Sequence, residues 1–167
     1  MGSQGAYGTS SRHGASAPEA MTDPSSRLTG QTRTGAAASS QSLTHLDTSF
    51  LIKALVPGTL EDRRLRRWIR QGGVIAMSSI GWAEFLCGPV SDVDRQRARK
   101  VVGVPLALVE AEAERAAELF NVAGRRRGSL ADCLIAATAL KAGATLATGN
   151  AADFKPFEEE GLKVVSG

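Results

Sequence analysis

The chain has 167 residues, a formal net charge of +3, two histidines and two cysteines. That length leaves room for one domain and little else. Cys87 and Cys133 have no C-x-x-C neighbour, which argues against a zinc site or a disulfide framework, and no apolar run is long enough to span a bilayer.

The chain changes character near its forty-second residue. Residues 1–42 are rich in Gly, Ser, Ala and Thr and nearly devoid of large apolar side chains. Such a segment buries too little apolar surface to offset its ordering entropy, so disorder is expected there. It has no continuous apolar core and so does not read as a signal peptide, and Met21 offers an alternative initiator. The folded domain is then 43–167, a soluble domain suited to a reducing compartment such as the cytoplasm.

From residue 43 onward strands and helices alternate. Residues 43–47 form a short apolar strand ending on Asp47, with His45 buried at its middle. Asp47, Thr48 and Ser49 can cap a helix over 50–56, which Pro57-Gly58 ends. Thr59 and Asp62 make a T-x-x-D cap for a helix with Leu65, Trp68 and Ile69 on one face and arginines on the other. Gly72-Gly73 leads into a strand over 74–77. Ser78 or Ser79 caps a helix over 80–87 that carries Glu84. A basic amphipathic helix covers 91–102. Residues 104–108 read as a strand whose Pro105 marks its start or an edge. A long helix follows over 110–126, with Ala116, Leu119 and Val122 inward. Ser129 and Asp132 form an S-x-x-D capping box for the next helix, Gly143 stops it, and 144–148 is a buried strand. Gly149, Asn150 and Asp153 follow it, and 161–165 supplies a last strand. Both cysteines fall inside apolar helical patterns and read as small core residues.

Strands alternating with helices imply a mostly parallel sheet covered on both faces, an α/β fold. Reactive groups of such folds gather outside the carboxyl ends of the strands. Asp47 ends the first strand, Glu84 lies on the helix after the second, Asp132 opens the helix before the 144–148 strand, and Asp153 follows that strand. Four carboxylates brought together repel one another unless a hard divalent cation offsets them. One or two Mg²⁺ ions held this way can activate water for in-line phosphodiester displacement. His13 lies in the tail and His45 in a strand, so histidine-based hydrolysis is poorly supported, and no G-x-S-x-G elbow, P-loop or G-x-G-x-x-G is present. Three basic clusters (Arg63, Arg64, Arg66, Arg67, Arg70; then Arg95, Arg97, Arg99, Lys100; then 125–127) suit a polyanion or an acidic partner. Each taken singly also reads as a solvated helix face.

The segments LDTSFL (46–51), WAEF (82–85), SLADCLIAATAL (129–140) and ATGNAADF (147–154) resemble, in order and spacing, the four signatures of PIN-domain ribonucleases, and more narrowly of VapC toxins. The resemblance covers nearly all of 43–167. It implies a three-layer α/β/α sandwich and Mg²⁺- or Mn²⁺-dependent endoribonuclease activity. It also implies a homodimer restrained by a small VapB-like antitoxin, and products with a 3′-hydroxyl and a 5′-phosphate. Residue by residue, it places Asp47, Glu84 and Asp132 as the first three acids of a metal site, with Asn150 or Asp153 as the fourth. Thr48 or Ser49 would hydrogen-bond a ligand or phosphate. Gly149 departs from the family, where an arginine is frequent, and so removes a possible phosphate contact.

Each acid also has a local reading. Asp47 alone would be a helix N-cap and Asp132 the third member of its capping box. Glu84 would be a surface glutamate, and Asp153 the cap of a short turn. Four such coincidences are less economical than one shared site. A PIN-like module that holds RNA or a partner without cutting stays open. A phospho-acceptor receiver lacks its acidic pair and late lysine, and a haloacid-dehalogenase-like phosphatase lacks D-x-D, since Thr48-Ser49 follow Asp47.

Overall fold

A computed structural model of the chain describes residues 42–125 and 129–167. The tail expected to be disordered (but for Ser42), Met21, His13, and Arg126 and Arg127 of the third basic cluster lie outside the described residues.

The described residues form β1 (Leu43–Leu46), α1 (Thr48–Ala54), α2 (Leu60–Arg70), β2 (Val74–Ala76), α3 (Ser79–Cys87), α4 (Asp92–Val102), α5 (Glu110–Val122), α6 (Leu130–Lys141), β3 (Thr145–Thr148), α7 (Ala151–Phe154), a 3₁₀ turn (Lys155–Phe157) and β4 (Lys163–Ser166). The four strands are all parallel, in the order β2-β1-β3-β4. Thr44 of β1 pairs with Ile75 on one side and Thr145 on the other. Parallel neighbours require crossovers, and the helices between strands provide them.

Helices cover both faces of the sheet, and β3 shows why. Successive strand residues point to opposite sides. Leu146 packs with Ala116, Leu119, Ile135, Phe154 and Phe157, from α5, α6, α7 and the 3₁₀ turn. Ala147 packs with Phe50, Leu51, Leu65, Trp82, Phe85 and Val102, from α1 to α4. The result is the three-layer α/β/α sandwich. Small side chains on α6 (Ala136, Ala137 and Ala139, all buried) let that helix approach the sheet closely.

The structure departs from the sequence reading at several places. Residues 104–108 are not a strand: Leu106 makes one parallel bridge to Ser78, with its N–H on Met77 O and its C=O accepting from Ser79 N, each at 2.8 Å. The partner segment turns into α3 at Ser79, so the ladder has nothing to continue along. Helix α5 stops at Val122, because Gly124 (φ 72°) and Arg125 (φ 55°) take left-handed conformations that end it. Val122 is half exposed, since the inward stripe runs through Ala116, Leu119 and Ala123. Cys87 is exposed at the last turn of α3, while Cys133 is buried. The capping box at Ser129 does not form: its backbone is not extended (ψ 0°), and its side chain makes no capping bond. Thr59 and Ser78 cap as read, accepting from Asp62 N and Gly81 N, and Ser91, not read as a cap, accepts from Asp94 N; Asp47 stands at the N-cap of α1 without a side-chain capping bond.

Candidate active site

The chain leaves β1 at Asp47 and β3 at Thr148, on the same edge of two adjacent strands. Asp47 N still donates to Ala147 O at 2.9 Å, so the two strand ends are tied together where the chain turns outward. A pocket of about 280 Å³ opens there, lined by Asp47, Thr48, Ser49, Ile52, Glu84, Asp132, Asn150, Asp153 and Phe154. All five candidates of the sequence reading therefore line one pocket, brought from β1, α3, α6 and the loop after β3.

Asp47 occupies the N-cap position of α1, yet its side chain makes no capping bond. Instead its Oδ2 accepts from Ser49 Oγ at 2.5 Å and from Thr148 Oγ1 at 2.8 Å. Each hydroxyl has one proton to give, and both are spent on this oxygen. The hydroxyl oxygens are in turn acceptors: Gly149 N donates to Ser49 Oγ at 2.9 Å and Asn150 N to Thr148 Oγ1 at 3.0 Å. Two backbone amides of the loop thus reach Asp47 through two hydroxyls. Oδ1 of Asp47 receives neither of them, and the residue, only 6% exposed, lines the pocket.

Glu84 is exposed on α3, and its Oε2 accepts from Thr48 Oγ1 at 2.9 Å, a hydroxyl also within 3.1 Å of Gly81 O. Asn150 Nδ2 donates to Asp153 Oδ2, which places the fourth-position candidates in contact with each other. Asp132 sits in the first turn of α6, half-buried. Thr48 and Ser49, read as ligand-binding hydroxyls, hold site acids. Thr148 was missed by the sequence reading; its only signal is a hydroxyl at the end of a buried strand, with Gly149 after it. His45 is fully buried, burial pushes its pKa from 6.5 down to about 4, and neither ring nitrogen has a hydrogen-bond partner. It belongs to the core and not to the pocket.

The pocket lining offers carboxylate, amide and hydroxyl oxygens and no lysine, arginine or histidine. An all-oxygen donor set rich in carboxylates fits a hard divalent cation, Mg²⁺ or Mn²⁺. Asp47 lines that pocket with one carboxylate oxygen held by two hydroxyls. Among the described residues, no three His, Cys, Asp or Glu side chains stand close enough together to hold a metal ion as they are.

The basic clusters are largely committed locally. Arg66 pairs with Asp62, Arg95 with Asp92 and Arg97 with Asp94, within their own helices. Arg99 lies over the Trp82 ring at 4.4 Å, and Arg125 donates to Asn121. Among the described residues, no helix is long and apolar enough to cross a membrane.

A PIN-domain family model matches residues 45–158. Among solved structures, a chain in the crystal structure of VapBC2 from Rickettsia felis bound to a promoter DNA fragment is similar over 75% of this chain and 98% of its own, with a TM-score of 0.60 and 20% identity. A chain of FitAcB from Neisseria gonorrhoeae is similar over 74% and 96%, with a TM-score of 0.56 and 21% identity. A chain of a toxin–antitoxin complex from Klebsiella pneumoniae is similar over 74% and 96%, with a TM-score of 0.54 and 26% identity. No curated protein sequence matches the chain.

Proposed function

The chain belongs to the PIN-domain family, and on that premise we propose that it is a metal-dependent endoribonuclease, the toxin of a VapBC-type toxin–antitoxin pair. The observation that carries this reading is the single pocket lined by Asp47, Glu84, Asp132, Asn150 and Asp153. The similar chains from VapBC2 and from the Klebsiella toxin–antitoxin complex support the toxin assignment.

In this reading Asp47, Glu84, Asp132 and the Asn150/Asp153 loop hold Mg²⁺ or Mn²⁺. The bound ion supplies activation of water and stabilisation of charge on the leaving oxygen. Asp47 is kept in place by Ser49 and Thr148, and Glu84 by Thr48, so the ligands are oriented by partners outside the metal shell. Asp132 and Asp153, which line the same pocket, would complete the ligand set. RNA is the substrate, a VapB-like antitoxin the restraining partner, a homodimer the working form and the cytoplasm the setting.

The test is cleavage of labelled total cellular RNA with Mg²⁺, with Mn²⁺ and with EDTA. Asp47→Asn and Asp132→Asn should each abolish metal-dependent cuts while circular dichroism and the melting temperature show a folded domain. Retained cleavage in both variants would remove the metal-site argument. The second reading, a PIN domain that holds RNA or a partner without cutting it, is favoured by one observation: the acids do not yet stand as a group of three. Metal and RNA binding without cleavage would select it.

A further inference from the structure

Gly149 precedes the pocket residue Asn150, and the reason for glycine there is not backbone strain. Gly149 is absent from the glycines with positive φ. The reason is space. A Cβ at this position would stand 2.8 Å from Lys53 Nζ, 3.1 Å from Lys53 Cε and 3.1 Å from Ser49 Oγ. The Lys53 side chain, one turn beyond Ser49 on α1, lies across the bare backbone of Gly149.

Its ammonium is held loosely. Nζ is 3.3 Å from Gly149 O and 3.5 Å from Glu61 Oε1, and the side chain is half exposed. Charge-assisted bonds to an ammonium are normally about 2.7–2.9 Å, so neither partner saturates it, and the side chain keeps access to solvent. Lys53 and Gly149 are not themselves pocket-lining residues, but they adjoin Ile52 and Asn150, which are, and the lining carries four carboxylates and no cation. A strand with one negative charge per residue, approaching that pocket, meets repulsion that a cation at the rim relieves.

We propose that Lys53 is a substrate-binding residue, its ammonium taking a phosphate oxygen of the RNA strand at the Gly149 rim of the pocket. The proposal rests on the ribonuclease reading above. Glycine at 149 serves it by leaving the ammonium room to lie there. The contact positions the strand and carries no sequence information.

The experiment is RNA binding by the full chain in an Asp132→Asn background with Mg²⁺, using a fluorescein-labelled single-stranded oligoribonucleotide of mixed sequence and anisotropy as the readout. Four proteins are compared: the parent, Lys53→Ala, Gly149→Ala and the double variant. Lys53→Ala should weaken binding about tenfold, the loss expected for one hydrogen bond to a charged group. It should also flatten the slope of log affinity against log salt by about 0.7, the signature of one lost phosphate contact on a single strand. A purely structural tie between Lys53 and Glu61 would move the melting temperature and leave that slope unchanged. Gly149→Ala should displace the flexible ammonium and weaken binding in the parent, yet cost nothing further once Lys53 is gone. An unchanged salt slope in Lys53→Ala would overturn the proposal. So would an equal Gly149→Ala loss with and without Lys53, because the alanine would then act through Ser49. If the folded parent binds no RNA at all, the ribonuclease reading fails and this proposal fails with it. Tight parental binding indifferent to Lys53 sinks this proposal alone.

Discussion

Replacing Thr148 by Val tests whether the hydroxyl relay prepares Asp47. The two side chains have nearly the same shape, so the fully buried site is neither emptied nor overfilled. What is lost is one donor to Asp47 Oδ2 at 2.8 Å and one acceptor for Asn150 N at 3.0 Å. Hydrogen bonds to charged groups contribute about 1.5–3 kcal/mol. Asn150 lies at an exposed turn, where water can take over its N–H, so the carboxylate bond dominates and a loss of about 2 kcal/mol is expected. For a domain of this size that lowers the melting temperature by about 8 °C. Asp47 would keep only Ser49 on Oδ2, and removing an oriented partner of this kind costs about 10–100-fold in metal affinity. Thermal melts give the first quantity and Mn²⁺ titration followed by electron paramagnetic resonance the second, with Thr148→Ser as the control that restores the hydroxyl. The relay would be refuted by a Thr148→Val protein whose melting temperature and Mn²⁺ affinity both match the parent.

His45 offers a pH test. Its imidazole is pushed from 6.5 to about 4 by burial, so the native state keeps the ring neutral while the unfolded chain protonates it. A depressed histidine contributes stability that is full above about 6.5 and is lost as the pH falls toward 4; between about pH 7 and pH 5 the loss is about 2 kcal/mol. Urea melts should show that slope in the parent and its absence in His45→Leu, and an identical slope in both would show that other groups carry it. Ser78→Ala removes the buried hydroxyl that accepts from Gly81 N at the start of α3. Losing such a cap costs about 1 kcal/mol, so the urea midpoint should fall accordingly, and an unchanged midpoint would mean that the cap contributes nothing.

The alternation of strands and helices was legible because the elements carry their own punctuation: Pro57-Gly58, Gly72-Gly73 and Gly143 end elements, while Thr59 and Ser78 begin them. The acids were legible because each sits at a strand end or on a helix bordering the strand-end loops, in an order shared with a known family. The relations between them were not. Thr148 meets Asp47 across 101 residues of sequence, and Lys53 meets the Gly149 carbonyl across 96. No local pattern announces a hydroxyl that serves a carboxylate so far away. The misread elements have a common cause too. Residues 104–108 have strand-like composition, but a strand exists only where a partner edge continues beside it, and at Ser79 that partner becomes helix. Val122 has the right spacing from Leu119, but the stripe that packs runs on to Ala123.

The helix N-termini show where local stability and the site diverge. Away from the pocket lining, α2 and α4 begin with Thr59 and Ser91, whose side chains cap the first turn. The three helices that begin with pocket residues or beside them, α1, α6 and α7, have Asp47, Ser129 and Asn150 at the N-cap, all good capping types, and none makes a side-chain capping bond. Helix α5 is uncapped as well, but Val109 has no side-chain acceptor to offer. At Asp47 the reason is visible, because Oδ2 is already taken by two hydroxyls. At Asn150 the amide is turned to Asp153. A cap forgone costs about 1 kcal/mol each time. Asp47 forgoes its cap for a network in which Oδ2 is held by two hydroxyls that themselves accept from the Gly149 and Asn150 amides, at the edge of the pocket.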